Sequence, residues 1–169
     1  ATQNPATFIG VFHLPEGELD RFGISLSIGY PESDDEARIL DQYGLDPLAN
    51  LRPVVQPQEV TIIRETIRSI NVSTDIRRFI VSIANQTRNS SLLRLGISPR
   101  ASQHLMLAAQ ATALISRRNY VIPEDVMAVA GIVLAHRVVL SAEARIENMS
   151  AKDVVTGILR QILVPTGVP

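Results

Sequence analysis

Apolar residues recur at three- and four-residue spacing over most of the chain after Pro57. One stripe runs through Val60, Ile63, Ile67 and Ile70, and the next runs through Ile76, Phe79, Ile80, Ile83 and Ala84. This spacing is typical of helices that bury one face. Asn71 and Val72 interrupt it between the two stripes. The sequence therefore predicts two long helices separated by a short break.

Later helices are predicted from their start signals. A serine hydroxyl accepts a hydrogen bond from an unpaired N–H of the first turn, and proline fits that turn because it has no N–H to leave unpaired. Such signals stand at Ser73 or Thr74, at Ser98 and Pro99, at Pro123 with Glu124 and Asp125, and at Ser150. We therefore expect four helices from these points, the third of them ending at about Leu134.

The segment from Arg21 to Tyr30 has a period of two instead. Ile24, Leu26 and Ile28 would lie on one face of an extended chain, which is the pattern of a half-buried strand. The sequence therefore predicts a strand in this segment, and helices over most of the chain after it.

A short helix is expected after this strand. Ser33 and Glu36 have the spacing of a capping box, and Gly44 would end the helix. The prolines within residues 45–55 predict a loop before the next helix begins.

Composition excludes several classes of protein. The 169 residues carry 16 Lys and Arg against 17 Asp and Glu, a balance that argues against a chain that coats nucleic acid. The absence of Cys excludes disulfides, thiolate zinc sites and a cysteine nucleophile, and it fits a reducing cytoplasm. His13, His104 and His136 are scattered, without the spacing of a metal site. No apolar run approaches the roughly 20 residues of a membrane helix, so we expect no membrane insertion.

Four segments carry a family resemblance. They are ATQNP at 1–5, LPEGELDRFGISLSIGYP at 14–31, LGISPRASQHLMLAAQATALISRRNYVIPEDV at 95–126 and LAHRVVLS at 134–141. In this order and spacing they closely resemble the second half of a MoxR-family AAA+ ATPase, most weakly between residues 42 and 72. The resemblance implies a mainly α fold, with an incomplete α/β remnant of the P-loop ATPase core at 1–32 and a helical AAA+ lid at 33–169.

Asn4 matches the family position called sensor 1, which orients the attacking water or reads the γ-phosphate. An amide suits that role because it donates and accepts hydrogen bonds without carrying charge. The alternative is that Asn4 and Pro5 only form a turn.

Arg21 matches the position of the family's arginine finger, which reaches the nucleotide site of a neighbouring subunit. A guanidinium there stabilises the charge of the transferring phosphoryl group. The alternative is a weak surface pair between Arg21 and the adjacent Asp20.

Arg100 matches the sensor 2 position in the first turn of a lid helix, where it would contact the γ-phosphate. A helix N-terminus already favours anions, and an arginine adds a charge whose hold depends on which phosphate is present. The alternative is a solvated first-turn residue, although a cation is unfavourable at that end of a helix.

The resemblance also implies cofactors and partners. They are ATP with Mg²⁺, a homo-oligomeric ring that is expected to be a hexamer, and client proteins that ATP hydrolysis remodels or activates, with a von Willebrand factor A domain protein as a partner. The chain contains no GxxxxGK[ST] loop and no strand ending in paired acids. In the family these Walker A and Walker B elements precede ATQNP, so we expect the chain alone to be inactive. Two alternatives are a magnesium-chelatase-type AAA+ subunit and a non-enzymatic helical interaction module.

Other features receive no catalytic role. The stretch from Ala6 to His13 is more apolar than the matching family loop. Arg137 after a helix C-terminus is interpreted as a cap and ion-pair residue. The arginine pairs at 77–78 and 117–118 are interpreted as parts of solvated helix faces, since nucleic-acid binding needs many more uncompensated cations.

Overall fold

The computed structural model describes residues 1–2, 14–46, 48–49 and 51–165. Packing divides the chain into two compact units. The larger unit consists of Ala1–Ser25 and Ile70–Pro169, and the smaller one consists of Leu26–Ser69. The boundary at residue 32 that the sequence suggests, between core remnant and lid, stays a prediction.

The structure is mainly α-helical, as predicted. In chain order its elements are α1 (Glu16–Leu19), α2 (Ser33–Asp41), α3 (Pro57–Ser69), α4 (Thr74–Asn89), β1 (Leu93–Leu95), α5 (Pro99–Ile115), α6 (Pro123–Leu134), a 3-10 helix (Ala135–Arg137), β2 (Val139–Leu140), α7 (Ala142–Ile146) and α8 (Ala151–Gln161). Helices α2 and α3 lie in the smaller unit, and the other elements lie in the larger one. Among the described residues no helix is long and apolar enough to cross a membrane.

The predicted capping residues begin the helices of the larger unit. The hydroxyls of Ser73, Ser98 and Ser150 each accept from the N–H of the third residue of the helix they cap, at 3.2 Å in α4, 3.2 Å in α5 and 3.1 Å in α8. Helix α6 begins at Pro123, where the Asp125 carboxylate accepts from the N–H of Ile122 at 2.9 Å. These local bonds satisfy N–H groups that have no partner within their own helix.

The core of the larger unit forms where α4, α5, α6 and α8 meet. Helices α5 and α6 make the most extensive contact, and small side chains let their backbones approach closely. These are Ala101, Ala109 and Ala113 on α5 and Ala130 on α6, all fully buried. The apolar stripe predicted for α4, from Ile76 to Ala84, is buried as expected.

A two-stranded antiparallel sheet, which the sequence does not predict, closes one end of the larger unit. Strand β1 pairs with β2, with Leu93 opposite Leu140. The connection from β1 to α5 passes directly over the end of α4. A Cβ at Gly96 would lie 2.6 Å from the backbone N of Arg88 and 2.7 Å from the backbone C of Thr87. Only glycine therefore fits at this crossing without a backbone shift.

The smaller unit contains α2, α3 and the predicted loop between them. None of its described residues is buried. Helix α2 ends at Asp41 with Gln42 as its C-cap, and Gly44, predicted to end it, adopts a left-handed φ of +85° in the turn that follows. The predicted capping box is wrong: Ser33 is the first helical residue, and the N-cap is Glu32, with no side-chain cap bond.

The strand predicted between Arg21 and Tyr30 is also wrong. Residues 24–30 form no strand, and Ile28 is 98% exposed. In the larger unit, the N–H of Ser25 instead donates to the carbonyl of Ile132 on α6, at 2.9 Å. An alternating pattern forms a strand only where a neighbouring strand pairs with its backbone, and no described residue supplies one here.

Candidate functional site

The beginning of α5 is joined to the segment that follows α1. Ser98 Oγ donates to both carboxylate oxygens of Asp20, at 2.8 and 3.0 Å, while it caps α5. Asp20 thus places a negative charge beside the helix N-terminus, where an anion is favoured. This contact brings together two segments that are 78 residues apart in sequence.

Arg100 lies in the first turn of α5, next to this contact. Its side chain is exposed, and it forms no ion pair or hydrogen bond with the described part of the chain. Its charge nevertheless acts locally, because it helps to lower the pKa of His104 and of Arg137. Arg100 is therefore a free guanidinium at a helix N-terminus, available to an anionic ligand.

Arg21 directly follows Asp20 in the sequence but does not form an ion pair with it. Its guanidinium contacts Glu18 at 3.1 Å, and both side chains are about half or more exposed, at 64% and 49%. The Asp20–Arg21 pair considered from the sequence is therefore wrong. An exposed pair at this spacing contributes little, about 0.3–0.5 kcal/mol, so Arg21 can leave it at small cost.

Arg137, which received no catalytic role from the sequence, is the buried centre of the site. Its guanidinium has no exposed surface and donates to the carbonyls of Phe22 and Gly23, the latter at 3.4 Å. It also donates to Nδ1 of His104, at 2.5 Å, and lies 4.0 Å from the carboxylate of Asp20. The ion-pair half of the sequence interpretation agrees with this geometry. The helix-cap half is wrong, because these donors reach the segment after α1.

The surroundings of the two histidines beside Arg137 lower the pKa of both rings. Burial lowers the pKa of His104, and the charge of Arg137 lowers it further. Burial also lowers the pKa of His136. Because a guanidinium can only donate, Nδ1 of His104 must accept from it, which places the ring proton on Nε2.

His136 makes two contacts through one ring nitrogen. Its Nε2 lies 3.2 Å from Nε of Arg137 and 3.1 Å from the carbonyl of Phe22. The first contact requires an acceptor and the second a donor, so only one of them forms at a time. The Phe22 carbonyl also accepts from Arg137, and its two lone pairs are compatible with either arrangement.

Sequence reasoning missed this cluster because its members are far apart along the chain. One signal could have indicated it: Arg137 ends the 3-10 helix that directly follows α6, and α6 is apolar around most of its circumference. Such a helix is buried on most sides, and a polar residue at its end is therefore buried as well.

Asn4, the remaining predicted site residue, lies outside the described residues, and so does the segment 6–13. Within the described ranges, no three acidic or histidine side chains are grouped to hold a metal ion. These residues therefore do not fit Mg²⁺.

One arginine of the two pairs interpreted as solvated, Arg118, is held in an ion pair instead. Arg118 forms a two-pronged ion pair with the buried Asp125, at 2.8 and 2.5 Å. Arg117 is exposed, and so are both residues of the pair at 77–78, as predicted. Arg118 is thus a structural residue that ties the end of α5 to the start of α6.

Comparison with known proteins supports the family resemblance. A family model described as the AAA lid domain matches residues 85–158. The chain is 38% identical over 166 residues to the uncharacterized protein YeaC of Bacillus subtilis and 32% identical over 174 residues to the chaperone MoxR1 of Mycobacterium tuberculosis. In both cases 98% of this chain is aligned, with 52% and 46% of the relative.

A solved structure agrees in fold. A candidate ATPase from Cytophaga hutchinsonii matches with a TM-score of 0.85 at 28% identity, over 97% of this chain and 53% of that one. The chain spans about half the length of the relatives it matches. The AAA lid match includes α5, α6, Arg137 and its partner His104, whereas the segment after α1 lies outside it. Over almost its whole length the chain is therefore similar to part of the MoxR-family AAA+ proteins, which bears out the resemblance.

Proposed function

We propose that this chain is the lid-bearing part of an AAA+ ATPase that remodels or activates client proteins, and that Arg100 reads the γ-phosphate of ATP. The observation that carries the proposal is the exposed, unpaired guanidinium of Arg100 in the first turn of α5. A cation at this end of a helix is unfavourable for stability, which favours a ligand-binding role.

The surroundings of Arg100 suit a phosphate reader. Asp20 beside the helix end is already bonded to Ser98 and does not pair with Arg100. The buried Arg137 adds positive charge nearby, since Arg100 lowers the pKa of Arg137. A phosphate on Arg100 would therefore relieve repulsion between two guanidinium groups. This gain is larger for a nucleotide with more negative charge.

Arg21 is proposed as the arginine finger that acts on the neighbouring subunit. Its exposed contact with Glu18 is weak enough to exchange for a phosphate oxygen. Asn4 is proposed as sensor 1, by resemblance alone. A hexameric ring, ATP with Mg²⁺ bound by upstream residues, protein clients and a von Willebrand factor A domain partner are proposed on the same basis. The chain alone, which contains no GxxxxGK[ST] motif, is proposed to be inactive.

The role of Arg100 is tested by nucleotide affinities in the AAA+ protein that contains this chain. Arg100→Ala is expected to reduce the preference for ATP over ADP by about tenfold, the size of one charge-assisted contact. Arg77→Ala, another exposed arginine on a helix, is the control and should leave the preference unchanged. An equal ratio of ATP affinity to ADP affinity in the wild type and in both variants would overturn the assignment of Arg100.

The role of Arg21 is tested by mixing subunits. Arg21→Ala should reduce the rate of ATP hydrolysis by about 1,000-fold or more while nucleotide still binds. If the finger acts on a neighbour, mixing this variant with subunits that lack the P-loop lysine restores hydrolysis at mixed interfaces. No recovery on mixing would contradict action between subunits, and loss of nucleotide binding would contradict the finger itself.

The same variants separate the alternatives. A non-enzymatic interaction module needs neither Arg21 nor Arg100, so its binding to a partner would survive loss of both. A magnesium-chelatase-type subunit would respond to both substitutions as proposed here and would differ in its client.

A further inference from the structure

The buried guanidinium of Arg137 joins three separate segments of the larger unit. It belongs to the 3-10 helix after α6, it donates to the carbonyls of Phe22 and Gly23 after α1, and it donates to His104 on α5. A planar guanidinium suits this position because its donors point in several fixed directions at once. Ser98 also links α5 to this segment, through Asp20, but it does so as the cap of α5 itself.

Stability alone does not explain a cation at this place. The side chain is fully buried, and the nearest carboxylate, that of Asp20, is as far as 4.0 Å. Arg100 repels it, and its second terminal nitrogen, NH1, has no partner among the described residues. A well-packed apolar residue is often equal to or better than a buried charge for stability. We therefore attribute the arginine at this position to the arrangement of the segments that it contacts.

The geometry concerns the two arginines of the proposed site. Arg21 immediately precedes Phe22, whose carbonyl Arg137 holds, and Arg100 lies one helical turn before His104, which Arg137 also contacts. Arg137 thus bonds to a neighbour of each arginine without contacting the position of either guanidinium. One side chain with a planar guanidinium therefore links the two segments.

We propose that Arg137 is a positioning residue that holds the segment carrying Arg21 against the helix carrying Arg100, so that both arginines move with the same lid. This inference rests on the proposed ATPase function. In this role Arg137 binds no nucleotide and acts only through Phe22, Gly23 and His104.

The first test is amide hydrogen exchange on the chain itself, without nucleotide. The N–H of Ser25 reports the docking of this segment, because it bonds to Ile132 on α6 at 2.9 Å. Arg137→Lys keeps the charge but loses the fork, and it should lower the protection of Ser25 by about tenfold. Protection in α4 should stay unchanged. Unchanged protection of the Ser25 N–H, or an equal loss of protection in α4, would overturn the proposal.

A matched pair at His104 separates the hydrogen bond from packing. His104→Asn keeps an acceptor near Nδ1, so Ser25 should keep its protection. His104→Leu has similar bulk but no acceptor, so it should resemble Arg137→Lys. Equal behaviour of the two variants would contradict a bond-mediated link.

The second test is kinetic, in the AAA+ protein that contains this chain. Arg137→Lys should lower kcat about tenfold or more with nucleotide affinity nearly unchanged, because misplacement of reacting groups by about 1 Å can cost 100-fold. If Arg21→Ala abolishes hydrolysis and Arg137→Lys does not affect kcat, the positioning role is wrong and the ATPase proposal stands. If Arg21→Ala and Arg100→Ala have no effect, the ATPase proposal fails, and the positioning role fails with it.

Discussion

Ser98 Oγ shares its single proton between the two carboxylate oxygens of Asp20 while it accepts from the N–H of Ala101, at 3.2 Å. The residue is therefore a helix cap and a tertiary link at once. Its hydroxyl orders the first turn of α5, which carries Arg100, and it fixes the end of α1, which precedes Arg21. The same contact thus serves stability and the placement of both proposed site residues.

Removal of this hydroxyl should cost more than loss of a cap. Ser73 caps α4 in the same way but makes no bond to a carboxylate, so Ser73→Ala is the matched control, expected to cost about 1 kcal/mol. Ser98→Ala also loses a hydrogen bond to a charged group and should cost about 2–3 kcal/mol in all. Urea unfolding of both variants measures the difference. Equal losses would show that the bond to Asp20 contributes nothing to stability.

Two glycines should respond in opposite directions to alanine. At Gly96 a Cβ would meet only backbone atoms, at 2.6–2.7 Å, so Gly96→Ala should destabilise the larger unit by about 1–3 kcal/mol. At Gly131, inside α6, a Cβ meets nothing within 4 Å, and Gly131→Ala should stabilise it by about 0.5–1 kcal/mol. Thermal unfolding of both variants checks the signs. A neutral Gly96→Ala would mean that the crossing over α4 relaxes easily.

Local signals explain why the helices could be predicted from the sequence. The starts at Ser73, Ser98, Pro123 and Ser150 depend on bonds within four residues, so they can be recognised without knowledge of the tertiary structure. The buried face of α4 follows in the same way from its period. The strand expected at 21–30 failed because alternation specifies a face but does not supply a pairing partner.

The candidate site was only half predictable for a related reason. Arg100 and Arg21 were found through the resemblance, and their exposure agrees with the roles proposed. The contacts of Arg137 could not be predicted, because its partners Phe22 and His104 are 115 and 33 residues away. Arg118 was misjudged likewise, since its buried partner Asp125 lies across the turn between α5 and α6.

The Arg118–Asp125 pair should be among the costly polar contacts to break. Asp125 is only 4% exposed and also accepts from the N–H of Ile122. Asp125→Asn removes the charge that pairs with Arg118, and it should destabilise the larger unit by about 3 kcal/mol. Asp75→Asn, in the exposed pair with Arg78 at 3.9 Å, is the control and should cost at most about 1 kcal/mol. Urea midpoints measure both, and equal costs would contradict a buried pair.

Acid should weaken the larger unit through His104 and His136. Burial lowers the pKa of both in the folded chain, whereas in the unfolded chain each titrates near 6.5. Below that pH the unfolded chain binds more protons than the folded one, so stability must fall as the pH drops. Protonation of His104 would also set an N–H against the guanidinium of Arg137 and remove their hydrogen bond.

The measurement is the midpoint of urea unfolding at about pH 7.5 and about pH 5.5. Even the lower pH lies above the range in which ordinary carboxylates titrate. The wild-type chain should lose stability over this interval. The double variant His104→Asn and His136→Gln keeps acceptors in place without a titrating ring, so its midpoint should change much less. Because both proteins share every carboxylate, the difference between them isolates the two histidines. An equal loss in both would assign the acid sensitivity to other groups and leave Arg137 undisturbed by the protonation of its neighbours.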